Sequence, residues 1–212
     1  MESKNISRKF LKRLPGYLNY LRSLPESTEN ISATTIAKAL NLGDVQVRKD
    51  LAKVSDGGRR RTGHSREVLI RDIEEFIGVT SITGAVVVGA GKLGQALLDY
   101  GGFEDSGLYF LAGFDIQPAA AYTDKGKPIY PVDQLVPYCQ DHQIEIGVLA
   151  VPADHAQEAC DSLVSCGIRA IWNFAPVHLK APQNVIVQTE NLAVSLTALR
   201  MQLRAADRQQ KQ

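Results

Sequence analysis

The order of apolar and polar positions divides the chain into a helical front and a longer region that alternates between strands and helices. Leu11, Leu14, Leu18 and Leu21 recur at helical spacing, with Tyr17 and Leu24 on the same side, and Pro25 ends the run. Pro15 lies inside this pattern, where it either opens the main helix as a first-turn residue or kinks a longer one. Ser32 precedes a short apolar face of Ile36, Ala37 and Leu40 and is expected to cap it. After a break at Asn41, Leu42 and Gly43, Asp44 is expected to cap a second helix in which Val47, Leu51 and Val54 fall on one side. Gln46, Arg48, Lys49 and Lys53 are left elsewhere on that helix. Two short helices around a glycine-containing turn, the second carrying donors outside, form a helix-turn-helix pattern.

The rest of the chain has a different rhythm. A helix-like run over residues 68–77 stops at Gly78, and Ala85, Val86, Val87 and Val88 then read as a buried parallel strand. Further strands are expected over residues 108–114, 146–150 and 170–172, and helices over 133–142 and 155–165. This is the alternation of a doubly wound α/β sheet. A last helix, residues 191–206, aligns Leu192, Leu196, Leu199 and Leu203; it either finishes the domain or docks on a second subunit.

Charge sharpens the division. The net charge is +1, yet residues 1–66 carry fourteen Lys and Arg against six Asp and Glu, a balance of +8, while residues 67–212 carry ten against seventeen, a balance of −7. A basic front on an acidic remainder suits contact with a polyanion, although a solvated basic face has the same footprint. The segment Gly57, Gly58, Arg59, Arg60, Arg61, Thr62, Gly63 and His64 adds a glycine-bounded basic loop, a candidate wing reaching a groove or the phosphates. His64 is expected at the surface of the wing tip. No second ligand stands at a useful spacing from it, so no metal site is expected.

Candidate chemistry in the second region lies after its first strand. Gly89, Ala90, Gly91, Lys92, Leu93 and Gly94 form G-x-G-x-x-G between that strand and a helix. In this context Gly89 serves the tight turn, Gly91 the approach of a pyrophosphate, and Gly94 close packing of helix on strand. The helix start supplies amide donors for the phosphates. Asp115 ends the next strand 26 residues after Gly89, close to the spacing of an acidic ribose-binding side chain. A carboxylate there repels a 2′-phosphate, so NAD(H) is favoured over NADP(H). Val151 and Pro152, and Asn173 with Pro176, sit at later strand ends, where such sheets bind ligands.

Other chemistry is excluded or absent. Cys139, Cys160 and Cys166 are odd in number and lack C-x-x-C spacing, which points to reduced thiols rather than a disulfide framework or zinc site. The amino terminus has no apolar signal region and no stretch reaches membrane-span length, so a soluble, cytoplasmic protein is expected. His142, His155 and His178 have no partner suggesting a triad, and no catalytic constellation is legible.

Over nearly its whole length the chain resembles the bacterial redox-sensing transcriptional repressors of the Rex family. The resemblance is carried by Arg13-Leu14-Pro15, by Val47-Arg48-Lys49-Asp50-Leu51, by the loop from Gly89 to Gly94, and by Asn173-Phe174-Ala175-Pro176-Val177. It implies a winged-helix domain at 1–78, a Rossmann-like NAD(H) domain at 79–190, and a dimerisation helix at 191–212 exchanged between subunits. It also implies a homodimer that holds palindromic operator DNA when free or bound to NAD⁺ and releases it on binding NADH. Tyr100 matches a tyrosine near the nicotinamide, and Arg22 an arginine linking the head to the sensing helix. The chain departs from the family in Ala52-Lys53-Val54-Ser55, in Arg61, and in Asn191, which stands where the family tends to carry an aspartate. Two rival readings fit the same sequence: a dinucleotide-dependent oxidoreductase with a basic extension, and a DNA-binding protein whose body only dimerises.

Overall fold

A computed structural model of the chain describes residues 6–58, 63–79 and 82–209. It contains two compact units, Met1–Ser81 and Ile82–Gln212.

In the first unit, α1 (Arg8–Ser23) begins at Ser7, whose hydroxyl accepts the Phe10 amide, and continues through Pro15. Pro15 is exposed, so the ring sits on the solvent side. Phe10, Leu14, Tyr17, Leu18 and Leu21 are buried. The register differs from the leucine pattern at its start: Leu11 is exposed and Phe10 takes the inward place, because a face spaced i, i+4, i+7, i+8 includes position 10.

The next two helices are α2 (Ala33–Ala39) and α3 (Asp44–Val54). Ser32 accepts the Thr35 amide as expected of a cap. Asn41 takes the left-handed conformation in the turn, a role its short polar side chain tolerates. Gly43, not Asp44, occupies the N-cap of α3; Asp44 lies in the first turn, where its carboxylate meets the positive helix end and accepts from Thr34. Ile36, Ala37, Val47 and Leu51 pack with α1 and with Leu69 and Ile73 of α4 (Arg66–Ile77). Strands β1 (Asn30–Ile31) and β2 (His64–Ser65) pair antiparallel, and Gly78 closes α4 at φ +76°.

The second unit is a six-stranded parallel sheet. Its strands are β3 (Thr83–Val88), β4 (Leu108–Asp115), β5 (Ile129–Pro131), β6 (Ile146–Leu149), β7 (Ala170–Asn173) and β8 (Ile186–Thr189), in the order β5-β4-β3-β6-β7-β8. The order reverses between β3 and β6, so a crevice opens beyond their carboxyl ends. Helices α5 (Lys92–Leu98), α6 (Leu135–Asp141) and α7 (Ala156–Ser165) accompany the strands. One face of the sheet packs Val86, Val88, Phe114, Leu149, Cys160 and Leu163; the other packs Ala85, Val87, Leu98, Phe110 and Val148.

The chain then enters α8 (Leu192–Gln209), which Asn191 caps by accepting the Val194 amide. Leu192, Val194, Leu196, Leu199, Met201 and Leu203 on it are between 61% and 67% exposed. Among the described residues no helix is long and apolar enough to cross a membrane.

Candidate functional site

Three glycines shape the loop after β3, for different reasons. Gly89 has φ +96°, and a Cβ there would lie 2.6 Å from the Ala150 carbonyl oxygen, so both conformation and packing exclude a side chain. A Cβ on Gly94 would collide with the Gly89 carbonyl oxygen, because α5 starts directly against the strand end. Gly91 is unlike both: its φ of −72° suits any residue, and a Cβ would meet nothing within 4 Å. Neither the fold nor the backbone needs glycine at this position, whereas a group approaching the loop from outside would need the space.

Asp115 at the end of β4 braces this loop. Its Oδ2 accepts the Ala90 amide at 2.7 Å and its Oδ1 the Gln117 amide at 3.0 Å. An ionised carboxylate has about four acceptor positions, so acceptor capacity remains for a hydroxyl in the adjoining space. That space is a cleft of about 920 Å³ lined by Gly89, Gly91, Asp115, Ile116, Gln117, Val132, Val151 and Pro152, with His155, Glu158, Ala159 and Ser162 on the far wall. Gly89, Gly91, Asp115, Val151 and Pro152 are thus brought together, while Gly94 lies buried in α5 behind the loop. His155, Glu158 and Ser162 joined them without any motif to announce them; only the packing of α7 beside β6 puts them there.

The other expected residues are distributed differently. Ala90 is buried in the turn and its carbonyl accepts from the Gln95 side chain, while Lys92 and Leu93 are exposed on the first turn of α5. Tyr100 is 60% exposed and packs edge-on against Phe103 at 5.0 Å; Phe103 in turn packs on Trp172, and Trp172 on Phe174. Tyr100 therefore ends an aromatic row and is not among the residues lining the cleft. Pro176 is exposed beyond β7.

Asn173, expected at a ligand-facing strand end, lies inside the protein. It is fully buried: its Nδ2 donates to the carbonyls of Ala175 and Val177 and to Thr189, and its Oδ1 accepts the Ala175 amide. Its amide is used inside the turn that follows β7, whose shape it holds.

In the head, the outer surface of α3 carries Gln46, Arg48, Lys49 and Lys53, all exposed. Arg48 pairs with Asp44 at 2.8 Å, and the Lys53 ammonium lies 4.8 Å from the centre of the Phe10 ring. Val45, 65% exposed beside them, carried no signal in the sequence beyond its position. Below this surface, fully buried Asp50 is held by Arg13 at 2.7 Å and by the Tyr17 hydroxyl at 2.8 Å. Burial pushes the Asp50 carboxyl up, but hydrogen bonds from Arg13, Tyr17 and Gln46 outweigh it, and the net shift is downward. Burial, reinforced by Asp50, pushes the Tyr17 hydroxyl up to about 12.

Arg59, Arg60 and Arg61 lie outside the described residues. His64, expected at a wing tip, is instead half-buried in β2. It pairs with Ile31 in the short sheet, Gly58 lies against its ring, and its Nδ1 is buried without a partner among the described residues. Burial lowers its pKa, opposed by the charge of Asp72. The sequence had suggested exposure because the surrounding loop is polar and glycine-rich; the β1–β2 pairing draws the residue inward. Arg22 bonds to Glu74 at 2.8 Å within the head.

The three cysteines are buried, and burial pushes the Cys139 thiol up to about 12 and raises those of Cys160 and Cys166. None of them is an activated nucleophile.

Comparison with known proteins agrees with this division. Residues 5–52 match the family model described as "Putative DNA-binding protein N-terminus", and residues 80–177 the one described as "CoA binding domain". The chain is 38% identical over 191 residues to the redox-sensing transcriptional repressor Rex of Bacteroides thetaiotaomicron, covering 89% of this chain and 87% of the relative. It is 34% identical over 200 residues to that of Clostridium acetobutylicum, covering 93% and 94%. Among solved structures it is similar to RSP, a Rex-family repressor, in complex with β-NAD⁺ and operator DNA, with TM-score 0.88, 31% identity, and coverage of 99% of this chain and 97% of RSP. RSP in complex with β-NADH matches with TM-score 0.85, covering 99% of each chain at 31% identity. With relatives this similar over nearly its whole length, a helix-turn-helix head and a glycine loop at the reversal point of a parallel sheet, the chain belongs to the Rex family of redox-sensing transcriptional repressors.

Proposed function

We propose that this chain is an NAD(H)-responsive repressor: a cytoplasmic homodimer that holds palindromic double-stranded operator DNA when free or bound to NAD⁺ and lets go when NADH binds. The observation that carries the reading is Gly91. The fold leaves room for a side chain there and has none, which is what close approach of a pyrophosphate demands. The loop from Gly89 through Ala90, Gly91, Lys92 and Leu93 to Gly94 would hold the pyrophosphate. Asp115 would accept from the adenosine ribose, and Val151 and Pro152 would bound the adenosine. Tyr100 and Pro176 would stand toward the nicotinamide.

Coenzyme A shares the adenosine diphosphate unit, so the matched family model is compatible with either ligand. A carboxylate braced at the loop disfavours an additional ribose phosphate by like-charge repulsion, which favours NAD(H).

When bound, the dinucleotide supplies a ring that is cationic when oxidised and neutral when reduced. The chain itself is assigned no hydride transfer and no catalytic residue. A ligand shifts an equilibrium only through its differential affinity for the two states, so discrimination between NADH and NAD⁺ must arise at the ring end. The apolar side of α8 supports the dimer, since a stripe this exposed is costly in water and suits burial against a second copy. The three-part division at residues 78 and 190 follows from that reading, with Arg22 and Asn191 as candidate coupling positions. Gln46, Arg48, Lys49 and Lys53 would meet the DNA, with Arg59, Arg60 and Arg61 in the wing.

The test is operator binding titrated with NADH at fixed NAD⁺. Release that follows the ratio supports the proposal. Binding insensitive to the ratio, or robust turnover with alcohols, aldehydes or hydroxy acids, would overturn it.

A further inference from the structure

Asp50 accepts four hydrogen bonds. Its Oδ2 takes Nε of Arg13 at 2.7 Å and the Tyr17 hydroxyl at 2.8 Å; its Oδ1 takes Nη2 of Arg13 at 3.0 Å and Nε2 of Gln46 at 2.9 Å. These fill the acceptor positions of an ionised carboxylate. Such a group only accepts, so the amide of Gln46 is oriented by it: nitrogen inward, toward Asp50. A free glutamine presents its oxygen and nitrogen in either order, but this one cannot turn over without losing the bond. Gln46 is itself exposed on α3, so its Oε1 and second amide hydrogen remain for a partner outside.

An amide offering one acceptor and one donor matches the major-groove edge of adenine, which presents the N6 donor beside the N7 acceptor. Guanine presents two acceptors there and leaves Oε1 facing an acceptor. We infer that Gln46 is an adenine-reading residue of the head, and that Asp50, held by Arg13 and Tyr17, is the positioning residue that fixes its orientation. This rests on the proposed contact of α3 with DNA, made from the major groove as the second helix of a helix-turn-helix makes it. The competing account makes Gln46–Asp50 an i, i+4 pair that only supports the helix.

The experiment begins with the full-length protein and a randomised duplex pool, from which a preferred duplex is selected. Each adenine of that duplex is then replaced singly by 7-deazaadenine, which lacks the N7 acceptor, and affinity is measured for wild type, Gln46→Ala and Gln46→Leu. Wild type is expected to lose about 2- to 10-fold at one adenine per half-site, the size of one hydrogen bond. Both variants are expected to show less than about a 2-fold change there while keeping the wild-type penalties at every other position. Thermal melting of the variants near the wild-type temperature separates this result from unfolding, and Gln46→Leu, which keeps the side-chain length, isolates the amide. A variant pattern identical to wild type at every adenine overturns the inference and leaves the DNA-binding proposal standing. Failure to enrich any duplex overturns that proposal, and the inference with it.

Discussion

Replacing Gly91 separates the ligand's demands from those of the fold. In Gly91→Ala the new Cβ meets nothing within 4 Å, and φ −72°, ψ −169° is ordinary extended backbone. Gly91 is the N-cap of α5, where alanine is less favourable than glycine by several tenths to about 1 kcal/mol. Reduced freedom of the unfolded chain returns about 0.4–1 kcal/mol, so the net change in stability lies within about 1 kcal/mol. Gly94→Ala instead drives a Cβ into the Gly89 carbonyl oxygen, and Gly89→Ala combines φ +96°, disfavoured by roughly 1–2 kcal/mol, with a 2.6 Å approach to Ala150. Binding should invert this ranking. A methyl group on Gly91 occupies the pyrophosphate's approach, and losing one charge-assisted hydrogen bond costs about 1.5–3 kcal/mol, or about 10- to 100-fold in affinity. The assay is thermal melting with and without NADH, together with calorimetric titration of both cofactors. Wild type at about 100 times Kd gains near 2.7 kcal/mol from ligand linkage. Gly91→Ala should melt like wild type without ligand yet gain only about 0.4–1.4 kcal/mol at that same ligand concentration, and Gly91→Val should bind DNA while ignoring both cofactors. If both Gly91 variants fold and bind NADH with wild-type affinity, the pyrophosphate does not lie at this loop and the reasoning fails.

Arg48→Ala and Lys49→Ala should each abolish tight operator binding with NADH affinity intact; the exposed Arg48–Asp44 pair contributes at most about 1 kcal/mol, so melting should barely change. Wild-type operator affinity in both variants would remove α3 from the groove. Asp115→Ala should weaken NADH and NAD⁺ alike, because it braces the loop at the adenosine end, whereas Tyr100→Phe should narrow the ratio of their affinities; titrations showing the opposite would reverse the placement of the ring end. His64 predicts a pH dependence: burial disfavours its charged form, so its folded pKa lies below the unfolded value near 6.5, and its contribution is complete above about pH 6.5 and lost as pH falls through the folded pKa. Melting of the head followed downward from neutral pH should therefore decline less steeply in His64→Gln, and equal slopes would show that another group is responsible.

What the sequence determined by itself was local. The Ser32 cap, the break between α2 and α3, the Gly78 stop and the strand-loop-helix around residues 89–94 depend on side chains within a few positions of each other, and the backbone's helical and extended periods print them directly on the chain. Asp115 was legible because strand and helix lengths fix its distance from Gly89. Strands β5 and β8 escaped: one has three residues ending in Pro131, and the other, unlike the equally short β6 and β7 with their buried apolar residues, is an edge strand with no buried position and two polar residues among its four. The tertiary structure alone decided which polar groups are buried. Asp50 reads as one more charge on a basic helix until Arg13, 37 residues earlier, arrives with a donor pair. Asn173 reads as a ligand contact until the turn it organises closes over it, and His64 as a surface residue until Ile31 pairs with it. A helix cap is chosen by its neighbours, but a buried polar side chain needs a partner brought by distant chain, and where that chain packs is a property of the whole core.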